Sequence, residues 1–286
     1  MSGILLIGTD GGKRRFYFEQ AAAEAGLPVV FLDWKDMPDM GHDEGFCPEN
    51  PEEPGWKRFE EKLRMLLQIE DLQRFAVKID APAWESSRLC DLGSLTGRYE
   101  EQLRRLSGLP AGGFLNRPPE IAQVLDKRGC KARLAQSGVP VTHMYEEHFS
   151  CGEELFDFLR EHRITQVFVK PVKGSGAAGV TALRFSPGNG RIALYTCAAL
   201  KEGALYNTKR MYRLEGRKAE AFLDSLLRLD CVVERWYGKA AFAGYCYDLR
   251  VIVQGGRIDY ILPRLAKGPI TNLHLNNQAM GFADLH

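Results

Sequence analysis

The stretch VFVKPVKGSGAAGV, residues 167–180, constrains the fold of this chain more than any other. An apolar run, Val167 to Val169, reads as a strand that ends in Lys170-Pro171. A loop with Gly174, Gly176 and Gly179 follows, and a second strand begins at Val180. Glycine lets a backbone turn and approach a phosphate where a Cβ would clash. A lysine at the strand end is a compact point charge suited to an anion. Because the loop leads into a strand, it is neither a P-loop nor a Rossmann turn, both of which open a helix. A glycine-rich hairpin with a surface lysine explains the stretch equally well in isolation, so the rest of the chain must decide.

With 286 residues, the chain can form two or three compact units. A hydrophobic fraction of 45% and a charged fraction of 26% are those of an ordinary globular protein. A net charge of +1 gives no general attraction to nucleic acid or to an acidic membrane surface, and neither partner is expected. No apolar run approaches the roughly 20 residues of a membrane helix. The start, MSGILLIGTDGG, lacks the charged region of a signal peptide and reads as a first strand. Seven scattered cysteines without a CxxC pair suggest neither a disulfide framework nor a zinc site, and a reducing, cytoplasmic location is expected.

The first segment reads as an α/β unit. Ile4–Ile7 is a strand, Lys13–Ala25 a helix closed by Gly26, and Pro28–Trp34 a second strand, together a βαβ unit that starts a parallel sheet. The first turn lacks GxGxxG spacing, which argues against a redox dinucleotide enzyme; Asp33 alone is a weak ribose signal, and the loop is read as structural or substrate-binding. Residues 35–56 read as a long surface loop, from which two methionines and Trp56 can dock. Glu60–Leu67 and Tyr99–Leu106 read as helices. Phe75–Ile79 reads as a strand whose carboxyl end carries Lys78 and Asp80, candidate substrate contacts because ligands gather there in parallel sheets.

Asn116-Arg117-Pro118-Pro119-Glu120 is a helix start with Asn116 as the expected cap. The helix is expected to continue to Gly138 with an interruption at Gly129, near which Lys127 can point inward. Another helix covers 153–162. After the glycine loop, strands are expected at 181–185 and 192–197, joined by Pro187-Gly188-Asn189-Gly190. Lys209, Arg210, Arg213, Arg217 and Lys218 form a basic cluster read as a solvated lid face, with an anionic substrate as the alternative. A helix at 219–229 precedes CVVERWY (231–237), then YDLRVIVQ (247–254), where Asp248 and Arg250 share a face. Gly255-Gly256 turns that strand back towards Arg264.

Taken in order, DK in a helix (126–127), VKPVKGSGAAGV, VVERWY, YDLRVIVQGGRI, PRL and TNLHLNN resemble the ATP-grasp superfamily, nearest its RimK-type glutamate ligases and glutathione-synthetase-like ligases. The motifs cover 116–278. The fold class implied is α/β, with α+β in the lid. A parallel-sheet pre-ATP-grasp domain (1–115) would precede an ATP-grasp N-terminal lobe with the glycine lid (116–233) and a shortened C-terminal lobe (234–286).

The resemblance implies ATP and Mg2+ as cofactors. Lys127, Lys170 and Lys173 would contact phosphates, with Gly174, Ser175, Gly176 and Gly179 as a flexible cover. Glu234, Arg235, Trp236 and Tyr237 would hold the adenine. Arg250, Arg264 and Asn272 would serve the transferred phosphate and the acyl-phosphate, and Asp248 would join Lys78 and Asp80 on the substrate side. The implied reaction activates a small-molecule carboxylate, an amino acid or peptide among the options, for attack by an amine or thiol. A homodimer is compatible with it. The family's ribose-binding acid has no counterpart in 238–243, and beyond TNLHLNN only Asp284 is acidic, so the metal ligands are unassigned. A shortened chain, ligands from another subunit, or a nucleotide-binding regulatory or scaffold protein all stay open.

Overall fold

The computed structural model describes residues 3–37, 54–68, 71–83 and 86–285. It divides into two compact units, one comprising 1–85 and 94–124, the other 86–93 and 125–286.

In the first unit, β1 (Gly3–Gly8), β2 (Val29–Asp33), β3 (Phe75–Ile79) and β4 (Gly113–Phe114) form a parallel sheet in the order β2-β1-β3-β4. Every residue of β1 is buried, as expected for an unbroken apolar strand at the centre of a parallel sheet. Its helices are α1 (Lys13–Glu24), α2 (Pro54–Leu67), α3 (Leu92–Leu106, which begins in the second unit) and α4 (Pro118–Leu125). Gly26 at φ +69° closes α1: its N–H bonds the Ala23 carbonyl, and that of Leu27 the Ala22 carbonyl, a Schellman arrangement. The end of the 35–56 loop is already helical from Pro54, and most of that loop, with Met40 and the side chain of Trp56, lies outside the described residues.

Two expectations around residue 116 are corrected. Asn116 is not a helix cap. Its amide accepts from the Ile79 N–H at 3.1 Å and donates to the Ile79 carbonyl at 2.8 Å, pairing with β3 as a backbone would. The following helix is not one helix broken at Gly129. It stops at Leu125, and Asp126 caps a new helix α5 (Lys127–Gln136) by accepting from the N–H groups of Arg128 and Gly129. Gly129 therefore lies inside the first turn of α5.

The second unit holds a five-stranded antiparallel sheet in the order β8-β7-β6-β5-β9: β5 (Gln166–Pro171), β6 (Thr181–Phe185), β7 (Ile192–Lys201), β8 (Ala204–Glu215) and β9 (Cys231–Arg235). Helices α6 (Gly152–Glu161) and α7 (Gly216–Leu227) cover one face, where Leu155, Leu159, Phe222 and Leu226 share a core with Val167, Val169, Leu183 and Leu194. Strand alternation then puts Phe168 and Lys170 on the opposite face of β5. Of the basic cluster, Lys209, Arg210 and Arg213 belong to β8 and Arg217 and Lys218 to α7.

A second antiparallel sheet has the order β10-β11-β12-β13: β10 (Ala240–Phe242), β11 (Tyr245–Gln254), β12 (Arg257–Ala266) and β13 (Gln278–Ala279). Gly255 and Gly256, both at positive φ, make the tight β11–β12 turn. Parallel α/β and antiparallel sheet-and-helix architecture coexist in the chain, as the fold class required.

Candidate functional site

The face of the five-stranded sheet opposite α6 and α7 borders a cavity of about 520 Å³ within the second unit. Its wall begins with the β5–β6 loop. Gly174 (φ +113°), Gly176 (+63°), Ala177 (+66°) and Gly179 (+68°) hold the loop in conformations that L side chains rarely adopt. At Gly179 a Cβ would also lie 2.8 Å from Pro171 Cγ and 3.0 Å from Leu89 Cδ1, so glycine there is a packing requirement. Residues 174–178 and Val180 line the cavity; Lys173 and Gly179 do not.

Lys127 and Lys170 converge on this loop. Lys127, in the first turn of α5, donates from Nζ to the carbonyls of Pro171 (2.9 Å), Val172 (3.3 Å) and Gly174 (2.8 Å). Burial, and next the charge of Lys170, push the pKa of its ammonium down to about 8, and the opposing attraction of Glu234 offsets only part of that. Lys170 Nζ lies 2.8 Å from Glu234 Oε2 on β9. The same oxygen meets Lys131 Nζ at 2.9 Å and the Thr142 hydroxyl at 3.0 Å. Burial would raise the Glu234 carboxyl, but the two lysines outweigh it and hold the group below its ordinary range.

Glu234, Arg235 and Tyr237 line the cavity beside Phe168, whereas Trp236 is buried behind them with its ring 5.3 Å from that of Phe168. At the other end Asp248 and Arg264 sit opposite each other on β11 and β12. Arg264 grips Asp248 through two hydrogen bonds, of 2.8 and 3.0 Å, Thr271 donates to Asp248 at 2.5 Å, and Lys239 lies 3.1 Å away. Burial raises the Asp248 carboxyl, and these donors more than reverse that. Asn272 completes this end.

The structure thus brings together Lys127, Lys170, Gly174, Ser175, Gly176, Glu234, Arg235, Tyr237, Asp248, Arg264 and Asn272 on one cavity. Arg250, exposed on β11, is not among its lining residues. Lys78 and Asp80 belong to the first unit, where they pair with each other at 2.5 Å.

Several contributors were not anticipated. Lys131 lies one helical turn after Lys127 on α5, and that i, i+4 spacing was the available signal. Lys239 stands in the segment where a ribose-binding acid was sought, and its contacts to Asp248 and Thr271 are fixed only in three dimensions.

The lining carries five cations (Lys127, Lys170, Arg235, Lys239, Arg264) against two carboxylates, Glu234 and Asp248, a balance that suits a polyphosphate. A magnesium site fits less well. Both carboxylates are already committed to cations, and among the described residues no group of three or more His, Cys, Asp or Glu side chains converges.

No protein-family model matches the sequence, and no curated protein does. Solved structures similar to the chain include D-cycloserine synthetase DcsG, at 16% identity and a TM-score of 0.49, covering 98% of this chain and 75% of that one. They include the ATP-grasp ligase PsnB complexed with minimal precursor, Mg and ADP, at 14% identity and a TM-score of 0.47, covering 92% and 71%. N5-carboxyaminoimidazole synthetase from Staphylococcus aureus complexed with ADP matches at 14% identity and a TM-score of 0.43, covering 94% and 56%.

Proposed function

We propose that the chain is an ATP-dependent ligase of ATP-grasp type, joining a carboxylate to an amine or thiol. The observation that carries this reading is the convergence on one cavity of Lys127, Lys170 and a glycine-rich loop with the strand end Glu234–Tyr237 on one side and Arg264 with Asn272 on the other. Phosphoryl transfer asks a protein chiefly for positioning and for neutralisation of developing charge, and this cavity is built of groups that do both.

In this reading the adenine lies against Phe168 and the Glu234–Tyr237 segment, and the phosphates lie under the 174–178 loop between Lys127 and Lys170. A substrate carboxylate oxygen attacks the γ-phosphorus, the bond to the β–γ bridging oxygen breaks, and ADP leaves. The amine then attacks the acyl carbon, phosphate departs with the bonding electrons, and the amine loses a proton. Arg264 neutralises the transferred phosphate and Asn272 donates to the acyl-phosphate. Magnesium, when bound with the nucleotide, would supply further neutralisation of the phosphates; among the described residues the protein donors do not amount to a site for it.

A second reading follows from the commitment of Asp248 to Arg264, Thr271 and Lys239: a nucleotide-binding regulatory or scaffold protein that turns nothing over. An ADP-release assay with panels of amino acids and short peptides separates the two. ADP release dependent on a carboxylate and an amine supports the ligase. Tight ATP binding with no release under any pair supports the second reading.

A further inference from the structure

A second cavity, of about 340 Å³, lies in the same unit and shares only Gly238, Lys239 and Pro269 with the nucleotide cavity. It rests on the face of the five-stranded sheet opposite α6 and α7, where Gln166 pairs with Arg184 across β5–β6 and Tyr195 lies one strand further on β7. The Arg184 guanidinium is 5.2 Å from the centroid of Trp236 and 5.8 Å from that of Tyr195. Lys267, on the far wall, sits 5.7 Å from the ring of Tyr245.

The electrostatics differ from those next door. Lys127 is bound by carbonyls and Lys170 by Glu234, but the second cavity has Arg184, Lys239 and Lys267 on its lining and, among the described residues, no carboxylate. Lys239 is compensated by Asp248, whereas neither Arg184 nor Lys267 has a carboxylate within ion-pair distance among the described residues. Aromatic packing fixes the plane of a guanidinium at small entropic cost and leaves its N–H fork for a ligand. A forked donor together with the uncompensated ammonium of Lys267 matches a tetrahedral dianion better than a single carboxylate.

We propose that this cavity is a separate binding site for a phosphate group, carried either as free phosphate or as a small phosphate monoester. It is independent of the ligase reading, because none of its unpaired cations belongs to the nucleotide cavity.

The test is calorimetric titration of the full chain with inorganic phosphate and, separately, with glycerol 3-phosphate, at constant ionic strength, with and without ADP. Arg184→Gln and Lys267→Gln are compared with Lys170→Gln, and circular dichroism verifies the fold of each. We expect saturable binding of at least one probe, weakened about tenfold or more by Arg184→Gln and by Lys267→Gln. Binding should be unchanged by ADP and by Lys170→Gln. Tighter binding of the monoester identifies an organic phosphate as the ligand, and tighter binding of inorganic phosphate identifies the free anion. Absence of saturable binding by both probes overturns the proposal, as does binding that ADP or Lys170→Gln abolishes while Arg184→Gln leaves it intact.

Discussion

Lys170 on β5 and Glu234 on β9 are diagonal neighbours across the strand pair, Glu234 facing Phe168 in register, and their charged ends meet at 2.8 Å on the cavity side of the sheet. Lys131 reaches the same carboxylate oxygen from α5. One buried anion therefore ties three elements together, and it does so where a nucleotide would need Lys170. Diagonal cross-strand pairs are within reach of long side chains, so the contact follows directly from the pairing of β5 with β9.

Replacing that anion tests its structural weight. Glu234→Gln leaves Lys170 and Lys131 facing each other without compensation at a buried position, and should cost about 2–3 kcal/mol of stability. Because the Glu234 carboxyl is held below its ordinary range, its contribution is present above the unfolded-state pKa and fades as pH falls through the folded-state value. Urea denaturation from neutral to acidic pH should accordingly show less acid-induced loss in the variant than in the parent. Identical pH slopes would show that the carboxylate is not held ionised by its lysines.

Lys127 makes a prediction about protons. In the free protein its ammonium titrates near 8, depressed by burial and by Lys170. A bound triphosphate favours the charged form, so ATP binding at pH 8.5 should take up a proton fraction of about three-quarters at most, and affinity should decline as pH rises. Calorimetry at pH 8.5 in buffers of different ionisation enthalpy measures the uptake. Lys127→Met should remove it; uptake that persists in the variant would assign the proton to another group.

The glycine loop gives a stability test. Gly179→Ala places a methyl against Pro171 and Leu89 at φ +68°, and strain of this kind costs about 1–3 kcal/mol. Gly138→Ala, also at positive φ but with open space around its Cβ, should cost less. Equal thermal shifts for the two variants would mean that packing at Gly179 contributes nothing.

At the far end of the cavity, Thr271 is buried and its hydroxyl both donates to Asp248 and accepts from Lys239 at 2.6 Å. Thr271→Val keeps the shape and removes both bonds, and should cost about 1–2 kcal/mol in urea denaturation. An unchanged midpoint would show that Arg264 and Lys239 hold Asp248 without it.

Much of this architecture was legible in the chain because it is local. The alternation in VFVKP sends Val167 and Val169 to the core and Lys170 to the cavity, and the three loop glycines at positive φ stand where the sequence places them. Gly26 closing α1 and Gly255-Gly256 turning β11 into β12 are equally local. What escaped depended on partners distant in sequence. Asn116 has the chemistry of a cap, yet Ile79 at the end of β3, beyond its pairing with β4, offered both of its amide atoms a partner. Asp126 could break the helix because its carboxylate outcompetes continuation through Leu125, a choice invisible to apolar periodicity. The roles of Lys131 and Lys239 exist only once β9 and β11 bring Glu234 and Asp248 to them.

The central claim is that the cavity holds ATP through Lys170. Calorimetric titration of ATP into the parent protein and into Lys170→Ala tests it most directly. Saturable binding to the parent is expected, with a loss of affinity of about tenfold or more in the variant, since a charge-assisted contact to phosphate is removed from a partly buried site. Affinity for ATP that is equal in the two proteins, with the variant folded, would contradict the assignment of this cavity.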